Sequence, residues 1–143
     1  LFSRQHESIS FDIRRDHHEL LEVDTNKIQQ VLNNLLLNAI DACDQVEKPA
    51  INFETKTIKI NSEKYCQITI NDNGQGFDED IIKNAFEPYQ TSKEHGKGLG
   101  LAIVKSIIDE HKGEINIDNS NVGAIIKIIL PIEQKNLGRA FSE

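Results

Sequence analysis

The stretch from Ile28 to Ile40 constrains the fold more than any other. Its apolar residues, Ile28, Val31, Leu32, Leu35, Leu36, Ala39 and Ile40, recur at intervals of three and four. That spacing puts them on one stripe of an α-helix. Asp24-Thr25 supplies an N-cap, the ladder ends near Cys43, and Pro49 closes the connection that follows. A helix with one apolar stripe needs a second layer to cover it.

Strand patterns supply that layer. Ile9, Phe11 and Ile13 alternate with polar residues, and Leu20 to Val23 is a second short apolar run. Ile51 to Ile60 and Tyr65 to Ile70 also alternate, and Asn61-Ser62-Glu63-Lys64 between them reads as a hairpin loop. Glu114 to Ile117 and Ala124 to Leu130 give two more strands. The last is almost wholly apolar, so it is expected in a central or well-covered position. Glu79 to Phe86 looks helical. Gly100 to His111 reads as an amphipathic helix with Ile103, Val104, Ile107 and Ile108 inward, stopped by Gly113. The pattern predicts one domain over 1–143, with a core from about Ile9 to Pro131 and a polar, fraying tail over 132–143.

Composition narrows the function. Hydrophobic residues at 38 % and charged residues at 27 % fit a globular domain rather than a disordered tail. No apolar run approaches a membrane span and no signal peptide opens the chain, so no direct membrane contact is expected. Without an initiator Met, the chain reads as a fragment or processed piece. A net charge of −7 disfavours a nucleic-acid partner, whose affinity comes largely from basic residues meeting phosphates. A nucleotide ligand stays open, because one or two cations plus backbone amides can hold a triphosphate. Cys43 and Cys66 read as buried thiols of a reducing compartment, which points to the cytoplasm. No His or Cys cluster has zinc-ligand spacing.

Four features ask for more than packing. Asn34 and Asn38 stand one turn apart beside the apolar stripe, with Gln30 and Asp41 roughly in line. They read either as a solvated face or as amides that bind something, since Asn is a poor helix former and its carbonyl is a hard oxygen ligand suited to Mg²⁺. Asp72-Asn73-Gly74-Gln75-Gly76 follows a strand. It is either a turn or a carboxylate beside backbone bare enough for a flat ring to approach, where Asp72 can accept from an amino group such as that of adenine.

Gly96-Lys97-Gly98-Leu99-Gly100-Leu101 runs straight into a helix. Beyond a flexible loop, it offers free N–H groups and a helix N-terminus, the elements of a phosphate cradle. It lacks the Walker spacing and follows no strand, so neither a P-loop nor a dinucleotide fingerprint fits. Phe86 to Lys93, with its aromatic residue, Pro88 and single cation, reads equally as a lid whose Lys reaches phosphate or as an exposed loop.

In this order and at these distances the four features resemble the N, G1, F and G2 boxes of the GHKL superfamily. The nearest resemblance is to the ATP-binding catalytic domain of two-component sensor histidine kinases. Gln30 to Ala42 is similar to the N box of nitrogen-regulation-type kinases. Phe86-Glu87-Pro88-Tyr89 with Lys93, Gly98 to Lys105 and the strand from Ala124 to Pro131 are similarly close. The resemblance covers about Ile9 to Pro131. It implies a two-layer α/β sandwich in which a mixed β-sheet is covered on one face by about three helices, with a mobile ATP lid. It further implies ATP and Mg²⁺ as cofactors, with Asn38 holding the metal and Asn34 near the γ-phosphate. Asp72 would bind the adenine amino group, Gly74 and Gly76 would shape that wall, and Lys93 would touch phosphate. The segment Gly96, Lys97, Gly98, Leu99, Gly100 and Leu101 would wrap the triphosphate. Asn34 and Lys93 are the residues it places at the chemistry.

Two departures stand out. Many relatives carry Lys-Tyr shortly after the metal-binding Asn; here Asp41-Ala42 stands there, with Asp41 counted among the cofactor-binding residues, and the two phosphate-side contacts are either absent or supplied elsewhere, as by Lys93 or Lys97. Of a G-x-G-T pattern before the last strand only Gly123 matches, with Asn121 and Ala124 in the other places, so an adenine-side hydroxyl is in question.

The resemblance also sets the activity. A sensor kinase transfers phosphate to a histidine on a dimerising helical hairpin, which then feeds a response regulator receiver domain. Only 23 residues precede Asp24, too few for such a hairpin at 1.5 Å per helical residue, so His6 reads as a surface histidine. The expectation is a catalytic domain without its phosphoacceptor domain. GHKL ATPases and anti-sigma-type serine kinases carry Glu where this chain has Asn34, an amide that cannot act as a base. A nucleotide-binding module without catalysis is the remaining alternative.

Overall fold

A computed structural model describes residues 9–16, 21, 23–86 and 97–132. Five strands form one mixed sheet: β1 (Ser10–Asp16), β2 (Ala50–Ile60), β3 (Glu63–Asp72), β4 (Glu114–Asn119) and β5 (Ala124–Pro131), in the order β1-β2-β3-β5-β4. β1 and β2 are parallel, and the other pairs are antiparallel. Parallel neighbours need a crossover, which α1 (Thr25–Ala42) supplies. Two further helices are α2 (Glu79–Asn84) and α3 (Lys97–Glu110). The expected two-layer α/β sandwich with three helices is what forms.

Period-2 patterning explains the inner face. Cys66, Ile68 and Ile70 of β3 pair with Leu130, Ile128 and Ile126 of β5, and all six are buried. Val31, Leu35 and Ala39 of α1 and Leu101, Val104 and Ile108 of α3 close over them. β5 is central, as its composition implied. Phe11 and Ile13 on the edge strand stay 51 % and 71 % exposed although they pair with Ile51 and Phe53. The helices cover the middle of the sheet and leave this edge open.

The structure revises several boundaries. Leu21 and Val23 belong to no strand; Leu21 packs against the core, and the next amide, Asp24 N–H, donates to the ring of His111 rather than to a sheet neighbour. The β2–β3 loop is two residues, not four. Asn61 and Ser62 both take positive φ, 52° and 71°, the twist that a two-residue hairpin demands. α3 begins at Lys97, three residues before the expected start. Ile103 is 44 % exposed rather than inward, because Leu101, Val104 and Ile108 form the buried stripe of α3. At its end the left-handed residue is Lys112 (φ 60°) rather than Gly113. Gly113 is required for space: a Cβ there would stand 2.5 Å from the Ile129 carbonyl oxygen.

α1 and α3 meet end to start. The Asp24 N–H donates to His111 Nε2 at 3.1 Å, and Lys27 Nζ pairs with Glu110 Oε1 at 3.0 Å. The beginning of α1 therefore lies against the end of α3.

Candidate functional site

The site is built where β3 ends, β5 begins and α1 runs out. Asp72, the last residue of β3, is buried. Its Oδ1 accepts from the Gly74 N–H at 2.8 Å and from the Ala124 N–H at 3.3 Å. Among the described residues no hydrogen bond reaches Oδ2. Burial pushes the Asp72 carboxyl above its ordinary range, and the two backbone donors pull it partly back. A buried carboxylate with one oxygen satisfied is a fixed acceptor aimed by its backbone partners.

The loop after Asp72 is pinned on three sides. Gly74 lies against the end of α1, where a Cβ would run into the Ala42 carbonyl, and the Gln75 N–H donates to that carbonyl at 3.3 Å. Gly76 takes φ +81°, which glycine adopts without strain. Gly123 packs on the Asp72 backbone with no room for a side chain. Asn73 is a brace rather than a turn residue. Its Oδ1 accepts from the Ala50 N–H at 2.8 Å and its Nδ2 donates to the Lys48 carbonyl at 2.9 Å. The Cys43 thiol donates to the same Oδ1 at 3.6 Å. Burial and the neighbouring Asp72 carboxylate push that thiol up, which keeps it protonated. Asn119 grips Phe77 with both ends of its amide, at 2.8 and 3.0 Å. No spacing in the sequence marks Asn73 or Asn119 as braces; the Asn119-Ser120-Asn121 cluster marks only a turn.

Ala124 carries no side-chain hydroxyl. Its backbone N–H takes the contact to Asp72, and the nearby Ser120 hydroxyl serves its own turn, accepting from the Gly123 N–H at 3.2 Å.

Asn34 and Asn38 are half-buried on α1 beside buried Val31, Leu35 and Ala39. Neither amide has a hydrogen-bond partner among the described residues. Two unpartnered amides one turn apart, at the border of the core, are oxygen donors without an internal use. Asp41 is exposed in the last turn, where an acidic group opposes the helix dipole. Thus α1 brings Asn34, Asn38 and the Ala42 anchor of the Gly74 wall onto one element.

The phosphate-side candidates divide. Lys93 and Gly96 lie outside the described residues, as does all of the expected lid from Phe86 to Lys93 except Phe86 itself. Lys97, Gly98, Leu99 and Gly100 form the first turn of α3, whose leading N–H groups lack partners within the helix. A Cβ on Gly100 would meet nothing within 4 Å. Leu101 is buried in the core, so only its backbone faces any ligand. Because α1 starts where α3 ends, Asn34 is about 15 Å along α1 from Asp24, and Gly100 about 16 Å along α3 from His111. Measured from that joint, the amides and the glycine turn thus lie at similar distances along two helices that share one core. Among the described residues no three His, Cys, Asp or Glu side chains gather as a metal cage, and no helix is long and apolar enough to cross a membrane.

Comparison with known proteins identifies the family and the fold. Residues 23–134 match the family model described as histidine kinase-, DNA gyrase B- and HSP90-like ATPase. A putative NtrY-like sensor histidine kinase of Rickettsia bellii is 41 % identical over 115 residues, 80 % of this chain and 18 % of the relative. The sensor histidine kinase ZraS of Salmonella typhimurium is 35 % identical over 136 residues, 92 % of this chain and 28 % of the relative. The chain thus spans under a third of either protein. Among solved structures, the nucleotide-free catalytic domain of histidine kinase ThkA aligns with a TM-score of 0.75 at 29 % identity, covering 92 % of this chain and 82 % of that one. The mycobacterial sensor histidine kinase MprB aligns at 0.74 and 24 % identity, over 91 % of this chain and 86 % of its own, a likeness of fold alone.

Proposed function

This chain belongs to the family of histidine kinase-, DNA gyrase B- and HSP90-like ATPases, and from that premise we propose that it binds Mg-ATP and donates the γ-phosphate to a histidine of a dimerisation domain. The receiver domain of a response regulator is the onward acceptor, and the cytoplasm is the compartment. The observation that carries this reading is the amide pair Asn34 and Asn38. Both are half-buried and unpartnered among the described residues, and the sole carboxylate of α1 is the exposed Asp41. An amide orients and coordinates, but it cannot take a proton from water. A site of this kind favours transfer to a nucleophile brought by a partner over hydrolysis.

The roles assigned in this reading draw on the positions described above. Oδ2 of Asp72, which no hydrogen bond reaches among the described residues, accepts from the adenine amino group, with Gly74, Gly76 and Gly123 keeping that wall thin. Asn38 supplies the oxygen suited to Mg²⁺, a hard cation that keeps most of its shell as water and phosphate oxygen; when bound, the ion neutralises charge on the phosphates. Asn34 orients the γ-phosphate. The first turn of α3 gives N–H groups to the triphosphate, and Lys93 and Lys97 are the cations assigned to it. In the transfer, an imidazole nitrogen of the partner forms the N–P bond as the γ-phosphorus bond to the ADP oxygen breaks. ADP leaves with that electron pair, and the imidazole releases a proton.

The test is incubation of the chain with Mg-ATP labelled on the γ-phosphate and a purified hairpin carrying the acceptor histidine. Acid-labile, base-stable label on the hairpin is the expected result, with ATP turnover by the chain alone barely above background. Brisk turnover without the hairpin would move the protein to the ATPase class. Label on serine would favour an anti-sigma-type kinase, and binding without transfer a nucleotide-binding module.

A further inference from the structure

The buried His111 lies at the far end of both helices from the nucleotide site, and its bonds define its state. The Asp24 backbone N–H can only donate, so Nε2, 3.1 Å away, is the lone-pair nitrogen. Nδ1 therefore carries the proton and donates to the Ile107 carbonyl at 2.8 Å. One ring thus ties the last turn of α3 to the residue that caps α1. Asp24 in turn holds the first turn of α1, its Oδ1 accepting from the Lys27 N–H at 3.2 Å. The neighbouring Lys27–Glu110 pair is exposed on both sides, where such pairs hold geometry weakly. Among the described residues, His111 is the buried polar link between the helices at this end.

The two halves of the nucleotide site depend on this link unequally. The adenine wall is anchored to β3, β5 and the end of α1, through Asp72, Gly123 and the Gln75–Ala42 bond. None of these contacts involves α3. The phosphate half needs Asn34 and Asn38 of α1 opposite the first turn of α3, so it depends on the axial register between the two helices. Apolar contacts resist separation but define sliding poorly, whereas a buried directional bond fixes register.

Building on the nucleotide reading above, we propose that His111 is a positioning residue: its clasp on Asp24 sets the register of α1 against α3 and so tunes phosphate and Mg²⁺ binding, but not adenine binding.

Two variants isolate the clasp. In His111→Asn the shorter amide can still reach the Ile107 carbonyl but not Asp24. In His111→Gln the amide reaches Asp24 again. Affinities for Mg-ATP and for adenosine are measured by NMR titration well below the thermal transition of each protein. His111→Asn is expected to weaken Mg-ATP about tenfold with adenosine changed less than twofold, and His111→Gln to stay within about threefold of wild type for both. Equal loss for the two ligands, no loss in His111→Asn, or a His111→Gln as weak as His111→Asn would each overturn the proposal. Failure of both variants to fold would assign His111 to stability alone and overturn it as well. A wild-type chain that binds neither ligand refutes the nucleotide reading itself, whereas one that binds Mg-ATP with no selective effect in His111→Asn refutes only the positioning role.

Discussion

Gly123 rests directly on Asp72. A methyl group on its Cα would run into the Asp72 carbonyl oxygen and stand 2.8 Å from the Gly74 amide nitrogen. The start of β5 thus props the end of β3 from behind and aims the Asp72 carboxylate. Gly123→Ala should cost stability at the upper end of about 1–3 kcal/mol and abolish adenosine binding in the protein that remains folded. Urea denaturation followed by an adenosine titration checks both; a stable variant with normal affinity would show that the contact yields.

Asp72→Asn separates stability from binding. The Asn oxygen can accept from Gly74 and Ala124 as before, while the buried charge is gone. ATP affinity should fall ten- to a hundredfold, or about 1–3 kcal/mol, because an amide donor now faces the adenine amino group. Without nucleotide, stability at pH 7 should hold or rise. The sign follows from the raised carboxyl. Proton uptake by folded wild type begins above the unfolded value of 3.8, so this group favours the fold fully below 3.8 and loses that contribution as pH rises through its folded value. Any stability advantage of Asp72→Asn should therefore shrink on acidification, measured by urea titrations at pH 7 and pH 5.

Gly100→Ala should act in the opposite sense to Gly123→Ala. A Cβ at Gly100 meets no protein atom within 4 Å, and alanine is the better helix former by up to about 1 kcal/mol. The melting temperature should rise. If the open space belongs to phosphate, Mg-ATP binding should weaken while adenosine binding holds, which calorimetry with the two ligands distinguishes.

Asn38→Ala tests the metal assignment. Alanine again suits the helix, so the fold should be as stable as wild type or slightly more so. Titrations with and without Mg²⁺ should show that the Mg²⁺-dependent part of ATP affinity is lost. A variant that keeps it would place the cation elsewhere.

Asn73→Ala removes a brace that the sequence disguises as half of an Asn-Gly turn. It strands the half-buried Ala50 N–H, while water can take over the exposed Lys48 carbonyl, which should cost about 1 kcal/mol by denaturant titration. Because Asp72 keeps its own backbone partners, adenosine affinity should fall less than in Asp72→Asn.

The elements were legible wherever a local rule was strong. The ladder from Ile28 to Ile40, the Asp24 cap and the alternation of the strands each report on neighbours within one or two turns, and each appears in the structure. The readings that failed were those decided at a distance. Leu21 and Val23 carry strand-like residues, but no sheet edge receives them. The helix start moved from Gly100 to Lys97 because glycines lower helix propensity without forbidding a helix end. Ile103 fits a helical stripe by spacing, and its expected companions Val104, Ile107 and Ile108 are buried, but the neighbours of α3 bury Leu101 in its place.

The order of the amide pair, the Asp72 loop and the glycine run is a property of the sequence, and it determined the family, the ligand class and the residues to consider. Tertiary structure alone decided what those residues touch. Among the described residues it gave Oδ1 of Asp72 two backbone donors and left Oδ2 without one, turned Asn73 and Asn119 into braces, and made a buried histidine a link between two helices. The physical reason is range. Propensity and periodicity act between residues close along the chain, whereas a hydrogen bond such as that from Asp24 to His111 joins groups 87 residues apart. Its existence depends on how the layers pack, which no local pattern encodes.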